Sequence, residues 1–313
     1  MKLTQAFLRL VRWPNLVFIA ITQILFVYCI VHPVMFTAGA VPNIQGLYFV
    51  LLMISSVIIA AAGYIINDYF DLNIDLINKP DKLVVEKIIS RRWVIFWHLF
   101  FSIAGIILGF YIDWKTKVSF LGLANFACVA LLFVYSISLK NKLLSGNVVI
   151  SALTAWVILV IAWCETSNLL NSNLTGSIAE KITRISFFYA GFAFVISLVR
   201  EVVKDLEDIE GDRRYGGNTM PIAWGIKATK VFLAVWMVVL TGSLLIVQFY
   251  ALVLGWWWSA AYCILLIIVP LLYIFKMLFS ARTSKDYHRL SSLIKLVMFT
   301  GILSMLFFRL YLM

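Results

Sequence analysis

The sequence predicts an all-α membrane protein: one integral-membrane domain over residues 1–313, with nine transmembrane helices and a cytoplasmic N-terminus. Three observations predict it. Hydrophobic residues make up 63% of the 313 and charged residues 13%, with a mean hydropathy of +0.98, more apolar surface than a soluble core needs. The apolar residues gather into nine stretches when read through a window of about 19 residues. Lysine and arginine are distributed very unevenly between the two sets of connections.

The stretches lie near 15–33, 46–66, 94–112, 118–137, 147–164, 185–199, 230–250, 256–276 and 292–311. Residues 2–13 read as a short basic amphipathic lead-in, and Pro14 opens the first span with no separate cleavable signal, so the mature chain is expected to begin near Met1. The sixth stretch is short before Arg200, but its helical pattern continues through Glu201 and Lys204; it is expected to be one helix projecting from the membrane. The connections after spans 1 and 7 are nearly uncharged, and 165–184 reads as a polar loop. Trp256, Trp257 and Trp258 suit an external interface anchor.

With nine spans, all 26 lysines and arginines except Lys115, Lys117, Lys181, Arg184 and Arg309 fall on the side of the N-terminus. The positive-inside rule makes that side cytoplasmic, and a miscounted helix would scramble the partition. The formal charge of +11 is therefore a matter of topology; the bases form no arm or stripe for nucleic acid. Cys29, Cys128, Cys164 and Cys263 lie in or beside apolar stretches with no Cys-x-x-Cys spacing, which excludes a zinc or redox motif and leaves packing.

Two acidic triplets share one spacing: Asp68, Asp71 and Asp75 after span 2, and Asp205, Asp208 and Asp212 after span 6. Offsets of 0, 3 and 7 on a straight helix keep three side chains within an arc of about 60°. Carboxylates at the ends of membrane spans are costly and mark function. Six of them repel one another unless a cation intervenes, and their hard oxygens suit magnesium holding a phosphorylated substrate. Asn67, Asp71 and Asp75, four residues apart, stack on one face. The second triplet alone is a weaker signal, because Lys204 and Asp208 are ordinary i,i+4 neighbours. The repetition on one membrane face, each time before a long charged loop, strengthens it and suggests two related halves.

Six carboxylates and a diphosphate of about three charges exceed what two magnesium ions neutralise, so basic side chains are needed as well. Arg200, Lys204, Lys82 and Lys140 are the candidates, with Arg200 and Lys204 favoured because they share a helix with the second triplet.

These residues resemble the UbiA superfamily of intramembrane prenyltransferases. Its first motif, Asn-x-x-x-Asp-x-x-x-Asp, is met by Asn67, Asp71 and Asp75, and its second by Asp208 and Asp212, with Asp68 and Asp205 as additional acids. The likeness extends to Arg12-Trp13-Pro14-Asn15, Tyr135-Ser136 with Lys140, and Gly211-Asp212 followed by Thr219-Met220-Pro221-Ile222. It implies a helix bundle with a central cavity, two Mg2+ ions bridging the Asp clusters, an isoprenyl diphosphate donor and a lipophilic acceptor. On that reading Asp71, Asp75, Asp208, Asp212 and Lys204 carry catalysis. Asp68, Asp71, Asp75, Asp205, Asp208 and Asp212 hold metal, and Asn67, Arg200, Lys82, Lys140, Tyr135 and Arg12 bind substrate. Aromatic rings such as Tyr64, Tyr69 and Tyr135 stand near the motifs, where a ring face can steady an allylic cation.

Within the superfamily, residues 67–92 and 200–212 are most similar to the branch that prenylates geranylgeranylglyceryl phosphate. Where that branch has Arg-Pro after Pro-Asp, this chain has Lys82-Leu83, so acceptors such as 4-hydroxybenzoate, dihydroxynaphthoate or homogentisate stay open. A CDP-alcohol phosphotransferase is disfavoured by the absence of its Asp-Gly-x-x-Ala-Arg string. A cation-coupled transporter is disfavoured because both triplets lie at a membrane face rather than near the midplane. His98, alone inside span 3, is expected to be a hydrogen-bonded packing residue rather than a base.

Overall fold

The computed structural model describes residues 3–78, 84–167 and 176–312, which are helical almost throughout. In order, the helices are α1 Leu3–Leu10, α2 Trp13–Phe36, α3 Leu47–Phe70, α4 Leu72–Asn78, α5 Arg91–Thr116, α6 Leu121–Ile137 and α7 Ser145–Thr166. They continue with α8 Gly176–Glu207, α9 Ile209–Arg214, α10 Met220–Ala223, α11 Gly225–Val253, α12 Trp257–Ser280, α13 Ser284–Leu303 and α14 Leu306–Leu312. Among the described residues, eight helices are long and apolar enough to cross a membrane, α13 and α14 counting together as Ser284–Leu312. The fourth predicted stretch is α6, whose 17 residues span about 25 Å, short of a hydrocarbon core of about 30 Å. The sixth is the expected single helix, 32 residues long.

The chain divides into two compact units. The first comprises Met1–Ile24, Val41–Lys140 and Val157–Arg184. Here α3 packs on α5 and α6, and the buried positions of α5 (Val94, His98, Ser102, Gly105, Gly109, Ile112) recur every three or four residues. Its exposed face carries Phe96, Phe100, Ile103, Ile107 and Phe110. The outside of α5 is thus more apolar than its inside, as lipid demands, and small residues let the helices approach. A Cβ on Gly109 would lie 2.9 Å from the Gly122 Cα, so α5 and α6 meet backbone to backbone there. Asn125 Nδ2 closes the junction by donating to Ser55 Oγ and the Gly105 carbonyl at 2.8 and 2.9 Å. Asp113 fixes where α6 begins, accepting from the Leu121 and Gly122 amides at 3.0 and 2.8 Å. His98 Nδ1 lies 3.0 Å from the Ala62 carbonyl, which can only accept, so the ring is hydrogen-bonded as expected of a packing residue.

The second unit comprises Leu25–Ala40, Asn141–Trp156 and Ile185–Met313. Its core joins Val199, Val202, Val203 and Leu206 of α8 to Met220, Leu233, Met237, Leu271, Ile274, Leu290 and Ile294. Two π turns, Val27–Val31 and Ile264–Ile268, each precede a proline, Pro33 and Pro270. A proline ring crowds the carbonyl four residues back, and widening the helix by one residue relieves that clash while the next amide bonds five residues back. Thr283 and Asp286 form a reciprocal capping box that starts α13.

Both acidic motifs depart from the straight helix expected of them. α3 ends at Phe70 and α4 resumes at Leu72, with Asp71 between at φ −84°, ψ −1°; α8 ends at Glu207 and α9 resumes at Ile209, with Asp208 between at φ −98°, ψ 8°. The helical bonds run up to each junction and start again from it: Asp71 N donates to the Asn67 carbonyl and Asp75 N to the Asp71 carbonyl, Asp208 N to the Lys204 carbonyl and Asp212 N to the Asp208 carbonyl, at 2.8–3.2 Å. Each helix is therefore interrupted by a kink, which falls on the middle aspartate both times. The 60° arc of a straight helix does not carry through either triplet.

Candidate active site

In the first unit, the end of α3 brings four predicted residues together and draws a fifth from a distant connection. Arg12 occupies the tight turn between α1 and α2 with φ +52°, and its Nη2 donates to Asp68 Oδ1 at 2.7 Å. Its guanidinium also stands 5.1 Å from the centre of the Tyr64 ring. Burial alone would lower the Arg12 pKa, but Asp68, Tyr64 and Asp71 together hold it above the ordinary value, so the side chain stays cationic. Asp71 is engaged at both oxygens: Asn67 Nδ2 donates to Oδ2 at 2.6 Å, and Lys140 forms an ion pair with Oδ1. Lys140 is 10% exposed and Asp71 17%, so the pair is screened from water. Asn67 Oδ1 is buried without a hydrogen-bond partner. Asp75 in α4 and Tyr135 in α6 are half-buried. Lys82 lies outside the described residues.

In the second unit, Asp205 accepts from Asn147 Nδ2 at 2.8 Å. Lys204 and Arg200, predicted to face a diphosphate, both reach the same carboxylate, Glu201, at 2.8 and 3.1 Å. Asp208 sits at the kink and Asp212 one turn on in α9; both are half-buried. The following turn is pinned under them: Gly217 N donates to the Asp212 carbonyl and Asn218 N to the Asn141 carbonyl, both at 2.8 Å. A Cβ on Gly217 would meet the Asp212 carbonyl oxygen at 2.9 Å, so the turn demands glycine there. Glu207, beside the kink, is held by His288 Nδ1 at 2.8 Å.

Two residues that sequence reasoning left aside enter this geometry. Asn147 had a signal: it opens an apolar helix, where a buried amide needs a polar partner. Glu201 was read as part of the projecting helix, and its contacts within that helix follow its i+3 spacing to Lys204.

Among the described residues, no three His, Cys, Asp or Glu side chains form a ready metal cage. Magnesium does not require one, since it keeps several waters and takes one or two carboxylates plus phosphate oxygens. The unpartnered Asn67 carbonyl oxygen beside Asp71 is a hard donor of the kind such an ion uses, and the residues fit it.

The profile of the UbiA prenyltransferase family matches residues 24–303. The digeranylgeranylglyceryl phosphate synthase of Methanosphaera stadtmanae is 31% identical over 184 residues, covering 59% of this chain and 60% of that protein. The chain thus aligns with about three fifths of that relative's length. Two solved structures share the fold: the apo UbiA homolog of Aeropyrum pernix K1 (TM-score 0.63, 15% identity, 97% of this chain and 98% of that one) and the Archaeoglobus fulgidus UbiA homolog bound to DMAPP and Mg2+ (TM-score 0.56, 17% identity, 95% and 98%). A family match over most of its length, on a multi-pass helical fold of the same kind, shows that the chain belongs to the UbiA prenyltransferase family.

Proposed function

We propose that this protein transfers an isoprenyl group from a polyprenyl diphosphate to a lipophilic acceptor, the donor being geranylgeranyl diphosphate and the acceptor geranylgeranylglyceryl phosphate. The reading includes nine membrane spans, α6 among them, a cytoplasmic N-terminus and an active site open to the cytoplasm. The observation that carries it is the pairing at the end of α3: half-buried Asp71, engaged by Asn67 and Lys140, beside Asp68 held by Arg12. Such an arrangement suits a ligand that brings both cation and anion.

Asp68, Asp71 and Asp75 of the first motif and Asp205, Asp208 and Asp212 of the second would hold two magnesium ions, with Asn67 contributing its carbonyl oxygen. Magnesium, when bound, neutralises the diphosphate and stabilises its departure. Arg12, Lys140, Arg200, Lys204 and Lys82 supply the remaining positive charge to the diphosphate oxygens. Apolar helix faces exclude water from the allylic carbon, and Tyr135 and its aromatic neighbours line its surroundings.

The test is to incubate the purified chain with labelled geranylgeranyl diphosphate and magnesium, offering geranylgeranylglyceryl phosphate, 4-hydroxybenzoate, dihydroxynaphthoate and homogentisate, and to weigh the products. The expected product is the digeranylgeranylated glyceryl phosphate, with diphosphate released only when magnesium is present. A prenylated aromatic would reassign the acceptor. Ion flux in liposomes without donor, and no product with any acceptor, would replace the transferase by a transporter.

A further inference from the structure

Glu201 stands one turn before the second Asp motif and belongs to neither triplet. Its carboxylate accepts from Lys204 Nζ at 2.8 and 3.1 Å and from Arg200 Nη1 at 3.1 Å, and it is 14% exposed. Adjacent residues on a helix do not face each other, so the Arg200–Glu201 pair forms only because the guanidinium folds back along α8. Holding Nη1 sets the plane of the guanidinium. It leaves the opposite side edge, Nε with Nη2, which offers two parallel N–H groups of the spacing that phosphate oxygens accept. The Arg200 Nε is buried and has no hydrogen-bond partner, an arrangement native proteins rarely keep unless a ligand completes it. Lys295 of α13 lies within electrostatic reach of Arg200, so a third base approaches the same place. The acids there include Glu201 itself, Asp205, which lies within reach of both Glu201 and Lys204 and is bonded to Asn147, and Asp212, which lies within reach of Asp205.

We propose that Glu201 is a positioning residue that sets Arg200 and Lys204 as a fork for a phosphate oxyanion of substrate. The inference rests on the transferase reading, in which two substrates carry that chemistry: the diphosphate of the donor and the phosphate of the acceptor lipid. Glu201→Gln keeps the shape and removes the charge, and two effects then compete. Loss of a neutralising acid would tighten anion binding, whereas loss of a positioning contact weakens it.

The experiment uses the full chain purified in detergent at saturating magnesium, with KM measured separately for donor and acceptor, and inorganic pyrophosphate binding measured by calorimetry. Glu201→Gln is expected to raise KM for one substrate about tenfold while kcat changes less than about threefold, and the substrate affected identifies the phosphate bound. Glu201→Asp should recover part of the loss, and Arg200→Lys combined with Glu201→Gln should be little worse than the poorer single variant, because the two act as a unit. An unchanged or lowered KM for both substrates in Glu201→Gln overturns the proposal, as does a fall in kcat with no change in either KM. If Glu201→Gln does not fold, Arg200→Lys and Glu201→Asp decide in the same way. Absence of any prenylated product from the unaltered protein, with pyrophosphate still bound and weakened by Glu201→Gln, would sink the transferase reading and leave the fork standing. Normal transfer with unaltered KM values in the variants would sink the fork alone.

Discussion

At the end of α3 the carboxylates are met by cations from remote parts of the chain, Arg12 on Asp68 and Lys140 on Asp71. At the end of α8, Asp205 is met instead by the neutral amide of Asn147, while Arg200 and Lys204 pair with Glu201. The backbone is the same in both places, a helix interrupted by a kink at the middle aspartate, whose amide closes the first segment and whose carbonyl opens the next. On the proposed reading, the difference lies in what a magnesium-bound diphosphate would have to displace. In the first motif a metal would compete with Lys140 for Asp71, and the displaced ammonium would become available to the diphosphate. In the second, the bases already have an acid of their own, and Asp205 does not have to release one of them.

The largest test of this contrast removes one acid from each end. Asp71→Ala and Asp208→Ala are each expected to lower transfer by about a thousandfold or more, with the protein still extracted folded from membranes. Near-normal turnover in either would make that end dispensable and dissolve the comparison. Next come the bases. Lys140→Met should raise the donor KM about tenfold yet lower the magnesium concentration needed for half-maximal activity, because Asp71 is no longer shared. Lys204→Ala should raise the donor KM without that shift in magnesium dependence. If both variants move the magnesium response alike, the two ends are neutralised in the same way after all.

Asn147→Ala leaves a half-buried carboxylate without its amide donor. It should cost about 1–3 kcal/mol of stability, read as an earlier thermal transition in detergent, with a smaller loss of activity. A transition unmoved by the substitution would show that Asp205 does not depend on Asn147. The smallest effect is expected at His98→Phe. The ring is bonded to the Ala62 carbonyl within the first unit, so activity should stay within about threefold of the original. A loss of about a hundredfold would put an unsuspected base at that position.

Much of this was legible in the amino-acid order. Burial in lipid writes long apolar stretches into a chain, so spans such as Trp13–Phe36 and Leu47–Phe70 are legible with boundaries within a few residues, whereas α8 begins at Gly176, inside the connection that reads as a polar loop, and α13 at Ser284, because a polar helix end carries no hydropathy signal. The acids could be read because aspartate at a span end is costly and its repetition at one spacing is improbable without a purpose. The α6 stretch was read as a full span. It starts at Leu121, where the Asp113 carboxylate accepts the first amides, a contact hydropathy does not record.

By itself, then, the sequence determined the helical class, the apolar spans, the two matched acidic triplets and the family, because each rests on local composition or on spacing along one helix. Tertiary structure decided the partners. Arg12 and Asp68 are 56 positions apart, Asn147 and Asp205 58, and Lys140 and Asp71 69, and nothing in a helical period says which distant side chain closes on which carboxylate. It also decided the kinks at Asp71 and Asp208, since a residue with ψ near 0° lets the helical hydrogen bonds stop and start again with a change of direction, and the one-dimensional pattern is the same either way.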